Sequence, residues 1–156
     1  MDMHHKSEPF LELTVELDLS RIVGFSAPGR KVWMLPFYGT AHGPIFEGII
    51  EPCGVDTQVT DAAGVKHMSA RYMLTGKDSV GQDCHIFVEN EGWTTDGTKP
   101  NPFYTVPKFL TDSEALAPFL HRNCFLGEGS QDETGLHIRF FETNTPQESP
   151  KTGASE

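Results

Sequence analysis

The sequence predicts an all-β fold: a single antiparallel β-barrel of about eight strands with one short helix. Three observations carry this. Short runs alternate with period two, most clearly Leu11, Leu13, Val15 and Leu17 against Glu12, Thr14, Glu16 and Asp18, the pattern of a strand with one wet face. Clusters of Gly, Pro, Asn and Asp punctuate these runs at short spacing, as between hairpin strands. Only one segment, Thr111-Asp112-Ser113-Glu114, reads as a helix start, with capping hydroxyls and acids in the first turn. Pro118 and the glycines beyond it restrict that helix to residues 113–116.

In chain order, residues 1–9 are polar and form a loose tail, in which His4 and His5 are incidental. A first strand covers 10–19, and Pro28-Gly29 turns a loop over 24–30. A second covers 31–38, with Pro36 marking an edge, bulge or bend. Residues 39–44 read as a turn, 45–51 as a third strand stopped by Pro52, and 54–56 as a turn into the β-branched run 57–60. Then comes the strongest hairpin signal in the chain. Residues 67–75 and 84–92 alternate on either side of a turn rich in Gly and Asp. Residues 93–102 are a long loop, 103–110 a strand, 119–126 a strand-like run, 127–130 a turn and 136–141 the last strand. The Thr-, Pro-, Glu- and Ser-rich stretch 143–156 reads as a disordered tail, which leaves 10–142 as one barrel domain. In a barrel the first and last strands pair and remove the free edges.

Composition narrows the function. The formal net charge of -10 argues against a nucleic-acid or anionic-membrane partner, since both are held by Lys and Arg. Cys53, Cys84 and Cys124 fit no zinc or redox spacing, and an odd count argues against a disulfide framework. The N-terminus lacks the apolar core of a signal peptide, and no run of about 18 apolar residues exists, so a cytoplasmic protein is the default expectation. There is no GxSxG, P-loop or GxGxxG signature, which weakens hydrolase and nucleotide readings. No cofactor and no metal are expected, although His67, His85 and His121 would make a metal site if the fold gathered them.

Five short matches, in this order and spacing, resemble a known family. They are Gly48 with Glu51-Pro52-Cys53-Gly54-Val55-Asp56; Ala70-Arg71-Tyr72; Val88-Glu89-Asn90-Glu91-Gly92; Phe103-Tyr104 with Pro107 and Phe109; and Phe119-Leu120-His121-Arg122 with Phe125-Leu126-Gly127. Together they resemble the domain-of-unknown-function family 3237, also called the UPF0311 group, over residues 10–142. The resemblance implies a small antiparallel barrel similar to the allene oxide cyclase and dirigent barrels, whose interiors hold hydrophobic small molecules and in some cases guide a cyclisation. Thr57 stands where the family has Trp, a change expected to reshape the pocket. His121 stands where it has Asn, which puts a group titrating near neutral pH in that place.

The candidate catalytic residues are Asp56, His121, Arg71 and Tyr104. Asp56 would be an acid or base if burial raised its pKa, against an ordinary turn-capping Asp. His121 would be a general base, against a structural His. Arg71 would steady developing negative charge, against an ion pair with Glu47 or Glu89. Tyr104 would donate to an oxyanion, against simple packing. Tyr72, Asn90, Phe119 and Tyr38 are the candidate substrate-binding residues. Tyr72 and Arg71 lie on opposite faces of one strand, and the sequence leaves open which face turns inward.

The expected activity is cofactor-free isomerisation, cyclisation or dehydration of a hydrophobic, oxygenated, polyketide- or terpenoid-like molecule, with an Asp56–His121 acid–base pair. The alternatives are a non-catalytic carrier of such a ligand, or an assembly subunit such as a homodimer formed through outer barrel faces. Convergence of Asp56, His121 and a Tyr or Arg in one pocket would favour the enzyme.

Overall fold

The computed structural model describes residues 8–95 and 100–143. The N-terminal alternation forms β1 (Leu11–Leu17), followed by a 3-10 turn at Leu19–Arg21. The strands β2 (Val23–Ala27), β3 (Arg30–His42), β4 (Phe46–Asp61), β5 (Lys66–Asp78), β6 (Asp83–Thr94) and β7 (Phe103–Thr111) follow. A one-turn helix, α1 (Ala117–Leu120), leads to β8 (Phe125–Asp132) and β9 (Gly135–Glu142). Neighbouring strands pair antiparallel from β3 through to β9. β1 pairs with β9 on one side (Leu13 opposite Ile138) and with β3 on the other (Val15 opposite Gly39), closing an eight-stranded barrel. The expected pairing of first and last strands is therefore present. β2 lies outside the closed ring, paired only with the first half of β3.

Several expected boundaries move, each for a local reason. The loop at 24–30 is largely β2 and a tight turn, because Val23 and Phe25 extend the sheet beyond the ring. The turn expected at 39–44 is shorter and later, at 43–45. β3 runs on to His42, with Gly39 (φ 152°) absorbing an irregularity between Phe37 and Gly39. The strands at 45–51 and 57–60 are one strand, β4, and the turn between them is a bulge. Ile50 faces Leu74 and Val55 faces Arg71, so β4 carries two more residues than β5 across this interval, and Pro52 and Cys53 bow outward, exposed. A bulge bends the strand without ending it. Glycines at 127 and 129 lie inside β8 and not in a turn: the Thr105 hydroxyl and the Phe103 ring pack where their side chains would be. The helix sits at Ala117–Leu120 and not at 113–116. Ser113 still caps: its Oγ accepts from the Leu116 amide (3.1 Å) and donates to Asp78 (2.7 Å), tying the β5–β6 turn to the helix entry. The expected tails, 1–9 and 143–156, lie almost wholly outside the described residues, His4 and His5 included. All three cysteines are free. Among the described residues no helix is long and apolar enough to cross a membrane.

The barrel interior is unevenly filled. At the α1 end, Phe10, Phe109, Phe119, Phe125 and Phe140 pack with ring centroids 5.1–6.4 Å apart, mostly edge-on or tilted. Such pairs add stabilisation beyond area burial, and with α1 they stop that end. Toward the other end, where β1, β4, β6 and β8 finish, the core side chains give way to a cavity.

Closure leaves one position without latitude. A Cβ on Gly39 would run into the Thr14 carbonyl oxygen across the β1–β3 seam, and its φ suits glycine. Gly39→Ala should therefore lower the urea midpoint, reflecting a loss of about 1–3 kcal/mol of stability from the backbone alone. An unchanged midpoint would show that the seam yields freely.

Candidate functional site

The β5–β6 hairpin turns its apolar face inward. Met68, Ala70 and Tyr72 of β5 and Asn90 and Thr94 of β6 line a cavity of about 530 Å³. Leu13 and Val15 of β1, Leu35 and Phe37 of β3, Phe103 of β7 and Ile138 of β9 complete its apolar wall. The opposite face of the hairpin looks outward. There Arg71, about two-thirds exposed, pairs with Glu89 at 3.3 Å. The cross-strand ion pair is thus what occupies Arg71, and Tyr72 holds the inner position.

Asp56 reaches this cavity because of the β4 bulge. The two added residues preserve inside–outside parity but shift register, so Asp56 stands opposite Ala70, which in turn stands opposite Asn90. The three form one row across adjacent strands. Strand spacing puts the Asp56 and Asn90 backbones about 10 Å apart. The small Ala70 between them leaves the intervening space open. One step deeper, Gly54 has no side chain, and a Cβ there would lie 2.8 Å from the Tyr72 Cβ. That allows Tyr72 and Phe37 to meet edge-on, centroids 5.1 Å apart.

The polar atoms are few, and several lack partners. Asp56 Oδ2 accepts from Gln58 Nε2 at 2.8 Å, while Oδ1 is buried with no hydrogen-bond partner among the described residues. Asn90 Oδ1, Thr94 Oγ1 and Thr105 Oγ1 are likewise buried and unpartnered. Burial pushes the Asp56 carboxyl above its ordinary pKa. The hydrogen bond from Gln58, the charge of Lys66, the nearby Ser69 amide and the charge of His67 pull the other way without reversing the shift. Burial, and then the Asp56 charge, push the Tyr72 phenol well above its usual value, so it stays a neutral donor. An apolar chamber with a protonatable carboxyl, a phenol and a carboxamide can hold an oxygenated molecule and move a proton to or from it.

Of the eight residues singled out from sequence, the structure brings together Asp56, Tyr72 and Asn90. The other five do not line the cavity. Tyr104 is half exposed, on the face of β7 opposite Phe103 and Thr105. Tyr38 is exposed on the outer side of β3. Phe119 belongs to the aromatic plug, with the Arg122 guanidinium 4.9 Å above its ring. His121 follows α1, exposed, and its Nε2 accepts the Thr111 amide at 3.1 Å. The Asp56–His121 pair does not form: one residue is at the cavity and the other at the plugged end. Thr57 lies between Asp56 and Gln58 on the alternate, outward face and does not line the cavity. His67 stacks on Trp93 (centroids 4.3 Å), while His85 pairs with Asp112 at 2.9 Å. Eight residues of register separate them, about 27 Å along the sheet, and no metal-holding cluster exists among the described residues. Gln58, Lys66, Thr94 and Thr105 line the cavity without having been singled out. Parity would have found three of them: Gln58 is two residues from Asp56, Lys66 six from Tyr72 and Thr94 four from Asn90.

Comparison with known proteins agrees with this architecture. A UPF0311 protein from Clostridium acetobutylicum is 27% identical over 121 residues, covering 68% of this chain and 74% of that protein. A further match, 35% identical over 60 residues, spans 36% of this chain and only 22% of a type III pantothenate kinase from Bordetella pertussis. Among solved structures, a protein of unknown function from Clostridium acetobutylicum superposes with a TM-score of 0.70 at 23% identity, covering 86% of this chain and 96% of that one. An enzyme from Penicillium herquei superposes with a TM-score of 0.51 at 17% identity, covering 88% and 98%. These two structural likenesses speak to the fold alone. The family model described as "Protein of unknown function (DUF3237)" matches residues 5–143, and the chain belongs to that family.

Proposed function

We propose that this chain is a small-molecule enzyme. It would catalyse cofactor-free isomerisation, cyclisation or dehydration of a hydrophobic, oxygenated, polyketide- or terpenoid-like compound inside the barrel. The observation that carries the reading is the Asp56 carboxyl. It is held in an apolar cavity with one oxygen unpartnered and its pKa raised by burial, a shift in the direction that acid–base chemistry at a carboxyl requires. That one fold neighbour is called an enzyme is consistent with the reading.

In this mechanism Asp56 Oδ1 gives its proton to a substrate hydroxyl, carbonyl or alkene carbon. The resulting carboxylate takes a proton from another atom of the same molecule. A proton given and returned makes an isomerisation or ring closure; a protonated hydroxyl that leaves makes a dehydration. Gln58 steadies the carboxylate through Oδ2. Tyr72 donates to a second oxygen, Asn90 fixes the far end of the substrate, and the apolar wall excludes water. The predominantly apolar lining favours one other reading, a carrier that shields such a ligand without chemistry.

Turnover of a panel of hydrophobic oxygenated compounds, followed by mass spectrometry, separates the two. Asp56→Asn should cut turnover by about 10²–10⁴-fold while ligand binding persists. Undiminished turnover in the variant would remove Asp56 from the mechanism, and binding without turnover across the panel would leave the carrier. The same variant makes a stability prediction. The folded pKa of Asp56 lies above the ordinary 3.8. Its stabilising contribution is therefore complete below that ordinary value and is lost as pH rises through the raised one. Asn carries no charge to bury, so Asp56→Asn should melt above wild type at pH 7, and the gain should vanish below about pH 4. Filling the gap with Ala70→Leu should weaken binding of the neutral fluorophore N-phenyl-1-naphthylamine by about tenfold or more, without lowering the melting temperature.

A further inference from the structure

We propose that the cavity selects hydrophobic monoanions. In this arrangement a carboxylate, or an ionised enol or phenol, sits at the open end against Lys66 and Thr94, and the uncharged part of the ligand extends down β5 to Asp56. This rests on the reading of the cavity as a ligand site and names which ligands enter it.

Lys66 and Asp56 are the only charged side chains among the described residues of the lining. Lys66 begins β5, directly after the turn that follows β4, and stands opposite Thr94, the last residue of β6. Both therefore belong to the open end. Cross-strand partners have Cβ atoms about 5 Å apart, close enough for an ammonium and a hydroxyl to share one anionic group. The Thr94 hydroxyl is buried and has no partner, with the residue only 8% exposed. Lys66 makes no salt bridge among the described residues; Arg30, Lys31 and Lys108 make none either, but of these four only Lys66 lines the cavity. A cation left unpaired beside an unpaired buried donor is an anion site in waiting.

The rest of the molecule sharpens this. With a net charge of -10, the surface as a whole repels anions, so an anion that enters needs a local positive group. Walls of Leu17, Leu35 and Phe103 around that group reduce screening by water. Lys66 lies four residues from Ala70, about 13 Å along the strand. The ligand must span most of that distance, less the reach of the lysine, to present an oxygen to Asp56. Occupancy also serves the chemistry. Lys66 is one of the groups whose charge favours the ionised form of Asp56. An anion bound to Lys66 offsets that field and so moves the Asp56 carboxyl further in the direction burial already moves it.

Two fluorophores sharing one skeleton test the proposal: 8-anilino-1-naphthalenesulfonate, and N-phenyl-1-naphthylamine, which lacks the sulfonate. At low ionic strength the wild type should bind the anion more tightly, by on the order of tenfold. Lys66→Met should abolish that preference while leaving the neutral dye within about twofold, and Lys66→Arg should retain it. A preference that survives Lys66→Met, or its absence in the wild type, overturns the proposal. Ala70→Leu should weaken both dyes; if it weakens neither, they sit outside the cavity and the proposal falls. Asp56→Asn should keep the anion preference, so loss of the acid–base mechanism is distinguishable from loss of this one. Failure of the wild type to bind either dye would overturn the ligand-site reading together with the proposal.

Discussion

The contact between β1 and β3 is the one on which the rest of the molecule depends. β1 is flanked by β9 on one side and β3 on the other, and only this double pairing turns a sheet into a ring. Once the ring is closed, every second side chain is committed to a finite interior. The seam tolerates no added atom at Gly39, where the Thr14 carbonyl already occupies the space. Closure also fixes the tilt and stagger of the strands, and with them the rows in which inward side chains meet. The juxtaposition of Asp56, Ala70 and Asn90 is a product of that stagger together with the β4 bulge.

Much of the fold was legible in the sequence because it was written in period two. Leu11 to Leu17, the β5–β6 hairpin and the last strand alternate cleanly, and each appears where the alternation places it. The run 119–126, read as a strand, is the end of α1 and a turn before β8. Most of the misread strand boundaries share one cause: glycine and proline were taken as ends of strands. In a small barrel they serve equally as points of close approach. Gly127 and Gly129 make room for Thr105 and Phe103, Gly54 makes room for Tyr72, and Pro52 rides on a bulge. A single sequence shows the residue type but not which neighbour needs the space.

The site was legible in part, and for a similar reason. Tyr72 and Asn90 each stood in an apolar alternating context that a barrel interior would produce, whereas Asp56 stood in what read as a turn and was singled out by its carboxyl alone. Whether Tyr72 or Arg71 turned inward depended on which strands flank β5, and that is fixed by closure. Once Tyr72 faced Val88 across the hairpin and Arg71 faced Glu89, the ion pair had to be outside, where water lowers the cost of two charges. His121 attracted attention by its chemistry, but its place was set by α1, which carries it past the aromatic plug to the Thr111 amide. Proximity in a list of reactive side chains says nothing about proximity in a ring of strands.

The uneven filling of the barrel has a consequence for how such a chain can change over generations. The phenylalanine plug supplies dense packing at one end, and closure is secured along the seam. The open end, bounded by Leu17, Leu35, Gln58, Lys66 and Thr94, contributes comparatively little packing. Substitutions there exchange one lining surface for another at small cost to folding, because the void they border was never part of the packed core. Dense packing and cavity lining are thus assigned to opposite ends of one tube. A scaffold so divided can change the surface its cavity presents while the ring around it stays the same.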